Sequence, residues 1–170
     1  MTLTLQDARL PSPLGDIQVL CRAGRLCGAD FAEGASRLDR LIAAGFGPVT
    51  LRPGTAPAAV QDAFARYFDG DLRGLEQLAL ETRGTPFQER VWRLLRKIPP
   101  GRTASYSELA ESLGRPGAQR AVGLANGRNP ISLVIPCHRV IGKSGRLTGY
   151  GGGLARKAWL LDHERRFSAR

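Results

Sequence analysis

Chain-breaking residues cut the second half of this 170-residue sequence into short helical pieces, and they constrain its fold more than any other feature. Thr85 can cap a helix and Pro86 can occupy its first turn, where a missing N–H has no intrahelical partner to lose. Phe87, Val91, Leu94 and Leu95 then recur at helical spacing until Pro99-Pro100-Gly101 stops the run. Ser105 and Glu108 have the spacing of a capping box, followed by an apolar stripe of Tyr106, Leu109, Ala110 and Leu113. After the turn Gly114-Arg115-Pro116-Gly117, residues Ala118 to Gly127 resume a helical pattern, which gives the outline of a helix-turn-helix. Ala118, Ala121, Gly123 and Ala125 leave the second helix nearly bare, with Arg120 as the one long cation of its first turns. Such a surface suits close approach to a narrow DNA groove, and it suits tight helix–helix packing equally well.

The first half reads differently. Leu14 to Arg22 and Arg25 to Ala32 flank an Ala23-Gly24 turn as a hairpin, and Ser36–Ala44 and Ala58–Phe68 have helical patterns. In the second of these, Val60, Phe64 and Phe68 stack at four-residue intervals. No histidine occurs here and the carboxylates are scattered, so this half is expected to be scaffold. The expected fold is α+β. Residues 1–84 form a small α/β domain with a short antiparallel sheet, and residues 85–170 form a mainly α-helical, winged-helix-like domain.

Charge divides at the same boundary. Residues 1–83 carry nine Arg and no Lys against ten Asp and Glu, whereas residues 84–170 hold 16 basic and five acidic residues. A balance of −1 beside +11 suggests that the second half meets a polyanion. Hydrophobic content of 42% is ordinary for a globular chain, and no apolar run is long enough to cross a bilayer. The start of the sequence lacks the pattern of a signal peptide, so a cytoplasmic protein is expected, nucleoid-associated through DNA if bacterial. Cys21, Cys27 and Cys137 are too few for a disulfide framework, and His138 and His163 make no metal-ligand spacing. Cys21 and Cys27 read as small apolar residues of neighbouring strands.

The chemistry gathers at Asn129-Pro130-Ile131-Ser132-Leu133-Val134-Ile135-Pro136-Cys137-His138-Arg139-Val140-Ile141. A strand-like apolar run ends at Pro136, which sets Cys137 at a turn where its thiol can face a pocket. His138 and Arg139 offer a base and a positive charge, the conditions that favour thiolate. In an extended segment neighbouring side chains point apart, so a bridging water would link Cys137 to His138. An imidazole base needs an orienting acceptor, and Glu164 shares a helix face with Leu160 and Leu161. The same residues would also fit a buried thiol beside a structural histidine, with Glu164 an exposed helix-end acid.

Pro136-Cys137-His138-Arg139-Val140 resembles the acceptor motif of the methylated-DNA–protein-cysteine methyltransferases, the O6-alkylguanine-DNA alkyltransferases. The resemblance runs from about Thr85 to Glu164 and takes in Tyr106, Arg120-Ala121-Val122-Gly123, Asn129-Pro130, Gly149-Tyr150 and Lys157-Ala158-Trp159-Leu160-Leu161. It implies that Cys137 accepts the alkyl group irreversibly, with His138 as water-mediated base, Glu164 as its orienter and Asn129 bracing the active-site turns. Arg120 would fill the gap left by the rotated nucleotide, with Ala118, Gln119, Ala121 and Gly123 on the same DNA-contacting helix. Tyr106 would assist rotation and guanine binding; Val140, Tyr150 and Gly151 would line the base pocket. The implied partner is double-stranded DNA containing alkylated guanine, approached by a monomer through the minor groove without sequence preference. O4-alkylthymine is a further possible substrate, and no metal or diffusible cofactor is required. Two positions depart from the pattern: no histidine supports the zinc site that some relatives carry in the first domain, and Gln119 stands where a small residue is commoner. Cysteine as acceptor, rather than the tryptophan of the alkyltransferase-like proteins, counts against a binding-only DNA sensor. A cysteine hydrolase is the other rival, and no oxyanion hole is evident for it.

Overall fold

The computed structural model describes residues 2–168, which form a mixed α+β fold of two compact units. One unit holds residues 2–83 together with Pro130–Val134, and the other holds Gly84–Asn129 with residues 135–168.

In the first unit, β1 (Leu3–Leu10), β2 (Ile17–Arg22) and β3 (Arg25–Phe31) are successive antiparallel neighbours. Then β4 (Val49–Pro53) pairs parallel with β1, giving the order β3-β2-β1-β4. The Ala23-Gly24 turn does join β2 to β3, both residues having positive φ of 50° and 77°, the sign that matches the twist of paired strands. The helix α1 (Ala35–Phe46) connects β3 to β4 and lays Leu38 and Ile42 on Leu5, Leu20 and Cys27. Gly28 permits that approach: a Cβ there would lie 3.1 Å from Ile42 Cδ1 and 3.2 Å from Leu38 Cδ1. Along α2 (Ala58–Phe68), Val60 and Phe64 are buried as the spacing predicts. The aromatic turned inward after Phe64 is Tyr67 rather than Phe68, whose ring packs edge-on against it. Cys21 and Cys27 are buried free thiols on β2 and β3, and burial pushes each from the usual 9.0 up to about 11.

Two later segments cover the open edge of β3. Leu26 N–H donates to Ala79 O and receives the Glu81 N–H on its carbonyl; Ala29 N–H donates to Pro130 O and receives the Ser132 N–H. An edge so covered offers no template to another chain. The expected strand-like run Ile131–Ile135 is therefore not a strand. It is a tight fold in which Val134 N–H bonds Ser132 O and Leu133 takes φ 75°. For a leucine this left-handed conformation costs about 1–2 kcal/mol, held in place by burial.

The second unit begins with α3 (Pro86–Leu95), whose Thr85 cap and Gln88 make a reciprocal capping box. Trp92 of this helix donates its indole N–H to Ala125 O at 2.9 Å, tying α3 to α5 (Gln119–Gly127). Between them, Ser105 and Glu108 form the second capping box and open α4 (Tyr106–Ser112). Gly114 and Gly117, at φ 71° and 93°, turn the chain from α4 into α5. The short strands β5 (Ala104–Ser105) and β6 (Val140–Ile141) pair in parallel, and α6 (Leu154–Ser168) closes the described chain. No helix of the described residues is long and apolar enough to cross a membrane.

Candidate active site

Cys137, His138 and Arg139 form one turn of 3₁₀ helix between Pro136 and β6, rather than an extended segment. Asn129 fixes the approach to this turn. Its buried amide donates to Ile135 O at 2.7 Å, and Cys137 N–H then bonds the same carbonyl at 2.8 Å. Cys137 is only 4% exposed, so its thiol is enclosed rather than open as the sequence suggests. His138 is wholly buried, and its Nε2 lies 2.7 Å from Glu164 Oε2 on α6. A carboxylate oxygen there requires Nε2 to carry the proton, which leaves Nδ1 as a lone pair with no protein hydrogen bond.

Glu164 is buried, which by itself would favour a neutral carboxyl, but its neighbours overturn that. His138 and a two-pronged Arg139 contact, Nε to Oε1 at 2.8 Å and Nη2 to Oε2 at 2.9 Å, hold it well below the usual carboxylate range. Arg139 also donates Nη1 to Ile98 O at 2.7 Å. The sequence places this guanidinium as a charge beside the thiol; the structure directs it at Glu164, because the 3₁₀ turn rotates residue 139 toward α6. Burial is the main force pushing His138 below its ordinary value, with Arg139 and Lys157 adding to it and Glu164 opposing. The result is a neutral imidazole with its acceptor nitrogen free of other protein bonds, which is the state of a general base.

Around this centre, Tyr106 OH bonds Thr148 Oγ1 at 2.9 Å, and Lys157 Nζ donates to Thr148 O at 2.9 Å. Tyr150 presents its ring edge-on to His138 with centroids 6.4 Å apart. Val140 is buried at the start of β6, while Gly151 is exposed in the loop before α6. Among the described residues no cluster of three or more His, Cys, Asp or Glu has a metal-binding arrangement.

On α5, Val122, Ala125 and Asn126 face inward, while Gln119, Arg120 and Ala121 are exposed and Ala118 is partly so. Gln119 reaches Ser107 Oγ at 3.3 Å. Gly123 is half-buried, and a Cβ there would lie 3.6 Å from the Tyr106 ring, so this glycine faces α4 more than solvent. The outer face is not wholly bare, since Leu124 stands on it at 58% exposure.

The buried thiol and its carboxylate-oriented neutral histidine lie in the basic half of the sequence, and that half matches known proteins. Residues 86–166 match the family model described as 6-O-methylguanine DNA methyltransferase, DNA binding domain. The methylated-DNA–protein-cysteine methyltransferase of Shigella flexneri is 45% identical over 168 residues, 95% of this chain and 96% of that protein. This chain belongs to the methylated-DNA–protein-cysteine methyltransferase family. The protein of the same name from Mycolicibacterium paratuberculosis is 58% identical over 119 residues, covering 70% of this chain and 71% of its own. Among solved structures, Mycobacterium tuberculosis OGT in complex with DNA aligns with TM-score 0.81 and 43% identity, over 95% of this chain and 94% of that one.

Within this methyltransferase, Lys157 escaped the reading of residue types, and Arg139 was named there in another role. Arg139 is the second partner of Glu164, and its position one residue after His138 gave no sign of which way it turns. Lys157 is fully buried, and here a signal existed: it stands three residues before Leu160 and seven before Glu164, on the face read as inward.

Proposed function

We propose that the protein repairs DNA by direct reversal, moving the alkyl group of O6-alkylguanine onto Cys137 in a single, irreversible event. The observation that carries this reading is the His138–Glu164 contact of 2.7 Å in the turn that holds Cys137, with Arg139 already holding the carboxylate anionic. His138 Nδ1 takes the thiol proton through a water. The sulfur electron pair then forms the S–C bond as the C–O6 bond breaks, and the pair leaving with guanine is neutralised by a proton, with the Tyr106 hydroxyl assisting. A thioether is a poor leaving group, so each molecule acts once.

A base inside a duplex cannot reach an enclosed thiol, and extrusion costs roughly a few kcal/mol. Residues 85–170 supply the machinery, with α4 and α5 as the helix-turn-helix of a winged-helix-like unit and residues 1–84 as scaffold. Ala118, Gln119, Ala121 and Gly123 bring α5 to the minor groove, and Arg120 enters the stack in place of the rotated nucleotide. Val140, Tyr150 and Gly151 line the guanine pocket, and Asn129 braces the turn that carries Cys137. Phosphate attraction by the basic half makes binding independent of sequence. The protein acts as a monomer, in the cytoplasm and on the nucleoid if bacterial, and O4-alkylthymine is the second substrate to test.

The deciding experiment is intact-protein mass after incubation with a duplex carrying one O6-methylguanine, with peptide mapping and a Cys137→Ser control. One methyl per molecule on Cys137, absent from the control, is the expected result; tight binding without a mass change would leave a damage sensor instead. Arg120→Ala should slow transfer from the duplex roughly tenfold or more, a part of the extrusion cost, while sparing a free O6-alkylguanine donor. Equal loss on both substrates would remove Arg120 from extrusion.

A further inference from the structure

Lys157 is a charged side chain with no exposed surface and, among the described residues, no carboxylate partner. Its ammonium has three N–H donors, and among the described residues it makes one hydrogen bond, to the Thr148 carbonyl. On α6, Lys157, Leu160 and Glu164 fall on one buried face, and that face packs on the Cys137–Arg139 turn. Glu164 meets the turn through His138 and Arg139. Lys157 lies seven residues earlier, about 10 Å along the helix axis. The charged and titratable groups on that turn and on the same buried face of α6 are Cys137, His138, Arg139 and Glu164. Glu164 is taken up by Arg139 and His138, and His138 is neutral. What remains to compensate the ammonium is Cys137, and the thiolate is the one group whose charge favours a protonated Lys157 against the burial that opposes it.

We propose that Lys157 is the counter-charge of the Cys137 thiolate, a positioning residue that keeps the sulfur anionic while His138 removes its proton. This rests on the reading of Cys137 as the alkyl acceptor. The two roles are separate. The thiol proton passes through water to His138 Nδ1 and Lys157 neither gains nor loses one. Its charge lowers the energy of the anion and disfavours a second cation on His138, so the proton on the imidazole is readily passed on to the departing guanine. Its bond to Thr148 also places the residue whose hydroxyl holds Tyr106.

The test is the pH dependence of Cys137 alkylation by iodoacetamide in the full chain without DNA, read by peptide mass at Cys137. Lys157→Met should raise the midpoint by about 1 unit or more, which slows labelling at neutral pH by roughly tenfold, and Lys157→Arg should restore most of it. An unmoved midpoint in a folded Lys157→Met protein overturns the proposal and leaves Lys157 as a brace for Thr148. Should the methionine variant not fold, the reciprocal measurement decides. The Lys157 ammonium, followed by nitrogen NMR in the wild type and in Cys137→Ser, should lose its proton at lower pH once the sulfur is gone, and identical titrations overturn the proposal. Neither measurement needs DNA, so failure of wild-type protein to accept methyl from a duplex would strike the repair reading and not this one.

Discussion

The two units use charge in opposite ways. In the first, several ion pairs sit at the surface: Arg66 meets Asp62 and Asp71, and Arg73 meets Glu76, with both side chains exposed to water. Pairs of that kind gain little Coulomb energy and hold two long side chains in one geometry for it. The exceptions are Arg37 on the buried Asp30, and Arg22 and Arg83 on the half-buried Glu81. In the second unit, His138, Arg139, Glu164 and Lys157 are all buried, with desolvation set against mutual contact. Such an arrangement is a poor way to stabilise a fold and a good way to fix protonation states. A scaffold can leave its charges in water, whereas a centre that must keep one imidazole neutral and one carboxylate anionic cannot.

The sharpest way to break this contrast is to remove one charge from each unit. Glu164→Ala leaves Arg139 buried without its carboxylate and should cost about 3–5 kcal/mol of stability, with alkyl transfer lost as well. Arg73→Ala removes an exposed partner of Glu76 and should leave the unfolding midpoint unchanged within error. Urea unfolding of both variants measures the difference, and Trp92 and Trp159 place a fluorescence probe in the second unit. Comparable losses in the two variants would end the distinction.

How far the sequence could foretell this follows the range of the forces involved. Helices α2 to α5 were legible because their signals are local: Thr85 with Pro86, Ser105 with Glu108, and glycines at 114 and 117 act within a few residues. Strands β1 and β4 were not. Gln6 and Asp7 interrupt the alternation in β1, and Asp7 finds its partner in a residue of the next strand, Gln18 donating to it at 3.0 Å. The run Ile131–Ile135 misled for the same reason. Its residues favour a strand, but the Asn129 amide and the β3 edge, neither of which a local pattern can weigh, fold it into turns. At the site, Cys137, His138 and Glu164 were recognisable as residue types at suggestive positions. The direction of the Arg139 guanidinium depended on a 3₁₀ turn that no spacing announced.

A second, smaller contrast appears with pH. His138 is held below 6.5 by burial, so the unfolded chain takes up a proton that the folded one refuses, and stability falls as pH drops below that value. Glu164, held below 4.5 despite burial by His138 and Arg139, contributes stability that is present above 4.5 and lost as pH falls further. Both weaken the second unit in acid. In the first unit Cys21 and Cys27 behave in the reverse sense. Raised from 9.0 to about 11 by burial, they contribute stability that is complete below pH 9 and lost between 9 and 11. Lys157 is depressed by burial, so the second unit gains as pH rises toward 10.5. Tryptophan fluorescence should therefore show the second unit loosening first in acid. Disulfide-exchange labelling of Cys21 and Cys27 should show the first unit opening first in alkali. A common midpoint for both probes at each extreme would mean that the units melt as one.

The smallest effect concerns how each unit starts its helices. Thr85 caps α3 with its hydroxyl and completes the box with Gln88, so Thr85→Ala strands amide donors at a helix start and should cost about 1 kcal/mol. Gly34, the cap of α1, has no side-chain bond to lose. Its φ is −95°, and a Cβ would stand 3.4 Å from Asp30 Oδ2, an ordinary contact, so Gly34→Ala should change stability by no more than a few tenths of a kcal/mol. The contrast again follows from what each helix must carry. Helix α1 is held by Leu38 and Ile42 on the sheet, and its first turn positions nothing else. Helix α3 is short and must hold Trp92 against Ala125 of α5, so a frayed first turn is felt where α5 is placed. Thr85→Ala should accordingly slow transfer from duplex DNA slightly as well as lower the midpoint, and a midpoint shift with duplex transfer unchanged would confine the cap to stability alone.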